Sequence, residues 1–166
     1  VTQTPPAATE AVPPRLVTLA EAQACVGQEV GVSPWLEITQ ERVNQFAEAT
    51  GDFQFIHVDE ERARTQGPFG GTVAHGFLTL ALLTQLGSQG GMLRIRDARA
   101  VINYGLDAVR FVQPVPVGAR IRARFVLQSV ICKAPDRVLL THQCTVEIDG
   151  NERPALVAQW LSLSMI

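Results

Sequence analysis

Hydrophobic and polar positions divide the chain by texture. From Leu19 to Leu86 apolar residues recur every three or four positions, whereas from Ala100 to Leu163 they form long runs broken by turn residues. The first pattern predicts helices and the second predicts strands. Leu19–Val26 reads as one short helix and Gln28–Val32 as a short extended piece. Thr39 can accept a free first-turn N–H, Glu41 sits at the positive helix end, and Val43, Phe46, Ala47 and Thr50 keep helical spacing up to Gly51. A helix over 40–50 follows, with Asp52 just beyond its end. Asp59-Glu60-Glu61-Arg62 opens another helix ending near Thr65, and Gly67 to Gly71 form a loop. From Thr72 or Val73 to Leu86 the chain is apolar nearly all round, which predicts a helix of about 21 Å buried on every side.

Four strands are expected: Ala100–Val112, Ala119–Ile131, Val138–Ile148 and Ala155–Leu163. The turn signals between them are Pro114-Val115-Pro116-Val117-Gly118, Lys133-Ala134-Pro135-Asp136 and Asp149-Gly150-Asn151. Such short connections predict antiparallel neighbours. Helices followed by a strand meander give an α+β class, with a curved antiparallel sheet wrapped around a long buried central helix. Pro5, Pro6, Pro13 and Pro14 make residues 1–15 a flexible Pro/Ala-rich leader, leaving 16–166 as one domain.

Composition narrows the function. Apolar residues make up 46% and charged residues 18%, an ordinary globular balance, and no apolar run reaches the ~20 residues needed to span a bilayer. A net charge of −2 offers no field for a nucleic-acid partner. Cys25, Cys132 and Cys144 include no C-x-x-C pair, so neither a disulfide framework nor a zinc site is indicated, and a reducing cytoplasm is expected. Strand alternation puts Arg120, Arg122 and Arg124 on one face, read as a solvated outer face with part of the set available to phosphates.

The chemistry concentrates between Thr50 and Leu86. Asp52 and His57 can bracket one water, one accepting its proton while the other orients it. His75-Gly76 opens the central helix, where backbone N–H groups lack internal partners and a missing Cβ lets a carbonyl approach. Together with the upstream pair this makes Gly76 an oxyanion-hole donor. Thr84, two turns on, either bonds back to a helix carbonyl or faces substrate. Gln54 flanks the pair, Asn103-Tyr104-Gly105 stands where a strand can line the site, and His142 reads as structural. No P-loop, dinucleotide fingerprint or nucleophile elbow is present.

Two blocks carry a family resemblance. Asp52-Phe53-Gln54-Phe55-Ile56-His57 and Ala74-His75-Gly76-Phe77 resemble the (R)-specific enoyl-CoA hydratases of the MaoC-like, hot-dog-fold family. Gln54 with an aromatic, Ile102-Asn103-Tyr104-Gly105 and Val109-Arg110-Phe111 look like its nodulation-protein-N-like branch. The resemblance implies a hot-dog domain that adds water to trans-2-enoyl-CoA to give (R)-3-hydroxyacyl-CoA. It implies Asp52 and His57 as catalytic, Gly76 as the oxyanion-hole amide, and Gln54, Thr84 and Tyr104 as substrate-binding. No metal or separate cofactor is implied, since coenzyme A is part of the substrate. The family also implies a homodimer with the acyl-CoA near the subunit boundary. A hot-dog thioesterase and a non-catalytic acyl-thioester binding module are the competing expectations.

Overall fold

The computed structural model describes residues 10–166. The part of the expected leader over residues 1–9 lies outside the described residues. Pairing begins upstream of the leader's expected end, because the Val12 N–H donates to the Gln89 carbonyl at 2.8 Å and the Arg15 N–H to that of Met92 at 3.0 Å. Pro13 and Pro14 fall between these donors, so the missing proline N–H groups cost no bond. β1 (Arg15–Val17) then runs parallel to β4 (Leu93–Ile95).

The helices start where the capping residues stand. Thr18 and Glu21 form a reciprocal capping box on α1 (Leu19–Ala24), and the Thr39 side chain accepts the Arg42 N–H at the start of α2 (Gln40–Thr50). The expected turn between Asp52 and His57 contains a short helix, α3 (Phe55–Val58). Asp59 caps α4 (Glu60–Gln66).

The central helix departs from expectation in two ways. It is split at Leu82 into α5 (Gly76–Ala81) and α6 (Leu83–Gln89), and Thr72–His75 is extended, with Val73 bridging Pro116. Nor is it buried all round: Phe77, Ala81, Thr84 and Ser88 are exposed, at spacings of four and three that mark a single face. The opposite face supplies Leu78, Leu82, Leu83 and Leu86 to the core.

The main sheet is antiparallel, in the order β2-β6-β7-β8-β5, with β3 also on β6. Its strands are β2 (Glu29–Val32), β3 (Leu36–Glu37), β5 (Ala100–Phe111), β6 (Arg120–Ala134), β7 (Arg137–Ile148) and β8 (Leu156–Met165). The simple meander fails at one connection. β5 pairs with β8 at the far edge and not with β6, because the proline-rich segment between them crosses the sheet instead of forming a hairpin. It is held by Ala74 N–H to Val115 O at 2.8 Å, Val117 N–H to Thr72 O at 3.0 Å and Gly118 N–H to Ile38 O at 2.7 Å. The crossing thus lays residues 112–117 against the start of α5.

The sheet's inner side packs Ile121, Phe125, Leu127, Val146 and Leu156 against α6. On its outer side Arg120 meets Asp149, Arg122 meets Glu147 at 2.5 Å, and Arg124 meets Glu147 at 2.8 Å and Glu29 at 3.0 Å. These arginines are paired with carboxylates on the solvated face of the sheet. All three cysteines are unpaired. Among the described residues no helix is long and apolar enough to cross a membrane.

His142 lies on the inner face with both ring nitrogens unpartnered, and burial pushes its imidazole down to about 4. The unfolded chain takes up this proton below about 6.5 while the folded chain resists it to about 4. The contribution of His142 to stability is therefore intact above pH 6.5 and falls, by on the order of 3 kcal/mol, as pH drops to 4. Urea unfolding of His142→Leu is expected to show a shallower loss between those pH values; equal pH slopes for variant and wild type would contradict it.

Candidate active site

α2 ends at Gly51, whose φ of +76° reverses the chain and releases Asp52. The Gln54 N–H donates to Asp52 Oδ1 at 3.3 Å, and the Gln54 carbonyl accepts the His57 N–H at 2.9 Å. Acid and imidazole are therefore tied through the start of one short helix. His57 is only 7% exposed. Its Nδ1 lies 2.7 Å from the Val73 carbonyl, which can only accept, so Nδ1 carries the hydrogen and Nε2 keeps a lone pair.

Gln40, at the start of α2, donates from Nε2 to the His57 carbonyl at 2.7 Å and accepts the Thr72 hydroxyl at 2.7 Å. His75 is 2% exposed, and its Nε2 donates to the Asp52 carbonyl at 2.9 Å. Its ring stacks on His57 with centroids 3.8 Å apart and planes at 25°. A carboxylate oxygen of Asp52 and one ring nitrogen of each histidine lie within 4.8 Å of one another.

His57, Gly76, Thr79, Phe69, Phe111 and Val115 are among the residues that line one cavity of about 260 Å³. Among the described residues the Gly76 N–H meets no backbone acceptor. A Cβ on Gly76 would stand 3.0 Å from the Phe111 ring, so only glycine fits there without displacing that ring. Asp52 stands beside His57 and His75 and is not among the residues that line this cavity. A larger open hollow of about 650 Å³, beside Glu60, Glu61 and Arg64, contains none of the three.

Burial holds the His57 imidazole below its ordinary range, and the neighbouring His75 adds to this against the opposing Val73 bond and Asp52 charge. His57 is thereby kept neutral and basic at Nε2 near pH 7. The two histidines and Asp52 do not form a metal centre of ordinary geometry. Imidazole lone pairs lie in the ring plane, and two nearly parallel rings cannot both aim at one ion about 2 Å from each.

The structure places Asp52 against His57, and puts His57 and Gly76 on one cavity. Gln54 joins them through its backbone, not through a side chain in the cavity. Thr84 lies apart, exposed in a separate hollow of about 190 Å³ with Leu80, Leu106 and Trp160. Eight residues of helix leave it roughly 80° around the axis from Gly76, which explains the separation. Tyr104 is 57% exposed on β5 and lines neither space. His75, Gln40, Thr79 and Phe111 are the site residues to which sequence reasoning gives no role of their own. His75 had a signal, its place beside Gly76 in the second block; Gln40 had none beyond opening a helix.

Residues 21–146 match the family described as MaoC like domain. The chain belongs to the MaoC-like dehydratase family. This MaoC-like chain is 46% identical over 147 residues to Nodulation protein N of Rhizobium leguminosarum bv. viciae, covering 89% of this chain and 91% of that protein. It is 51% identical over 142 residues to 3-hydroxyacyl-thioester dehydratase Z of Mycobacterium tuberculosis, covering 86% and 92%. The unliganded R-hydratase from Pseudomonas aeruginosa shares the hot-dog fold at a TM-score of 0.66 and 23% identity, covering 90% of this chain and 86% of that one.

Gln40→Ala removes two bonds that hold the MaoC-like site together, to the His57 carbonyl and from Thr72. A loss of about 1–2 kcal/mol is expected in urea unfolding. A change below ~0.5 kcal/mol would contradict the role given to Gln40.

Proposed function

We propose that this protein is an enoyl-CoA hydratase, adding water reversibly to trans-2-enoyl-CoA to give (R)-3-hydroxyacyl-CoA. The observation that carries the reading is a neutral imidazole with a bound Nδ1–H and a free Nε2, sharing a cavity with the unpartnered Gly76 amide, beside the Asp52 carboxylate. The thioester oxygen takes the Gly76 N–H, which stabilises the negative charge that develops there during attack. Water gives one proton to the Asp52/His57 pair as its oxygen bonds to the β-carbon. The pair returns a proton to the α-carbon, so H and OH are both added and the pair is regenerated. Both arrive from the side on which the pair stands, giving syn addition. The chemistry requires neither metal nor organic cofactor. The relative named 3-hydroxyacyl-thioester dehydratase Z supports the same reaction class.

The functional unit in this reading is a homodimer. β5 is a twelve-residue edge strand with exposed Val101, Ile102, Tyr104 and Leu106, beside the exposed face of Phe77, Ala81 and Thr84. A long apolar edge left uncovered invites pairing, and a second copy presents a matching surface. The expected compartment is the cytoplasm.

Asp52→Asn and His57→Ala are each expected to lower kcat for crotonyl-CoA hydration by on the order of 10²–10⁴, measured as loss of enoyl absorbance. Unchanged rates would refute the pair; thiol release with the double bond intact would point to hydrolysis. Light scattering is expected to give a dimer of the 18.0 kDa chain, and Ile102→Asp with Tyr104→Asp a monomer. A wild-type monomer would contradict the dimer.

A further inference from the structure

We propose that His75 is the positioning residue of this site: one imidazole sets the place of the Asp52 main chain, the plane of the His57 ring and the start of the helix that presents Gly76. The catalytic consequence rests on the hydratase reading, while the structural part does not.

Three contacts carry the inference. The Nε2–H bond to the Asp52 carbonyl anchors a loop that is otherwise exposed, fixing where the carboxylate begins. The stack on His57 fixes the remaining freedom of that ring, rotation about the axis set by the Val73 bond. The peptide bond to Gly76 makes the third link covalent, with His75 at the N-cap of α5. Phe46 of α2 packs on the other side of His75 at 5.0 Å, so the strut is itself clamped.

An ordinary core residue would not be built this way. With Nε2 donating, Nδ1 is a bare acceptor, and it is buried without a partner. Leaving such a group unmet costs about 1–3 kcal/mol, which a phenylalanine or leucine at the same place would avoid. The imidazole is retained for what its other edge and its face hold. Misplacement of reacting groups by about 1 Å can cost on the order of 10²-fold in rate, so a strut linking acid, base and oxyanion donor acts chiefly on kcat.

The stack also has an electrostatic consequence. The titratable groups facing His57 are His75, from the N-cap of α5, and Asp52, from the loop after α2; the crossing loop contributes only uncharged Gln113, Pro114 and Val115. His75 opposes a positive charge on the ring beside it. Replacing it moves the protonation of His57 to higher pH.

Two variants divide the contacts. His75→Phe keeps the stack and the packing on Phe46 but loses the donor; His75→Gln keeps an N–H toward the Asp52 carbonyl but loses the stack. Each is expected to lower kcat for crotonyl-CoA by roughly 10–100-fold with KM within about threefold. The acid limb of kcat/KM moves to higher pH in both. Imidazole NMR of His57 in the free protein should show the same upward displacement, a readout independent of turnover. Kinetic values within threefold of wild type, or an unmoved His57 titration in His75→Gln, would overturn the inference. Should wild type fail to hydrate any enoyl-CoA, the hydratase reading falls, and the NMR comparison still decides the role of His75. If His75→Phe does not fold, His75→Gln carries the same test.

Discussion

The carbonyl of Val73 fixes the arrangement of the site. By accepting from His57 Nδ1 it fixes the tautomer, leaving Nε2 as the only basic nitrogen of that ring. Val73 is itself fixed from both sides, since its N–H donates to Ile56 and the strand segment bridges Pro116. A single extended residue before the central helix thus joins α3, the crossing loop and the imidazole. Freed from it, His57 could turn either nitrogen to the cavity, and a base of uncertain tautomer is a poor one.

The topology explains why these parts meet. β5 and β6 adjoin in sequence and stand apart in the sheet, so the chain must cross between them. That crossing supplies Val112, Gln113, Pro114 and Val115 to the cavity wall, opposite His57 and Gly76. The same arrangement strands β5 at the edge and leaves one face of α5 and α6 uncovered. Phe77, at 68% exposure, belongs to that face and packs against Phe111 of the cavity wall at 5.6 Å. Site and uncovered surface are therefore one continuous region.

Much of this was legible in the residues. Thr39 and Gly51 bound α2 as their cap chemistry requires, and the Gly51 reversal followed by α3 keeps the acid and imidazole together. The four long strands follow their Val, Ile and Leu runs within a few residues. What was not legible depends on tertiary geometry. Proline pairs mark a break between β5 and β6 without saying where the chain goes next, so the neighbour of β5 was misread. All-round apolarity in the central helix predicts burial on every side, although one face of it is open. Thr84 follows Gly76 by about two turns, but the rotation around the axis and the break at Leu82 put it against a different hollow. His75 reads in the sequence only as the opening of the central helix, because its contacts, to Asp52, His57 and Phe46, join segments far apart in sequence.

In the proposed reaction acid and base act from one side of the substrate and deliver both parts of a single water. Hydration of crotonyl-CoA in D2O, with the product read by proton NMR coupling, tests this directly. The expected product carries one deuterium on the α-carbon, syn to the new hydroxyl, and is (R)-configured. Anti addition or a mixture of α-epimers would contradict it.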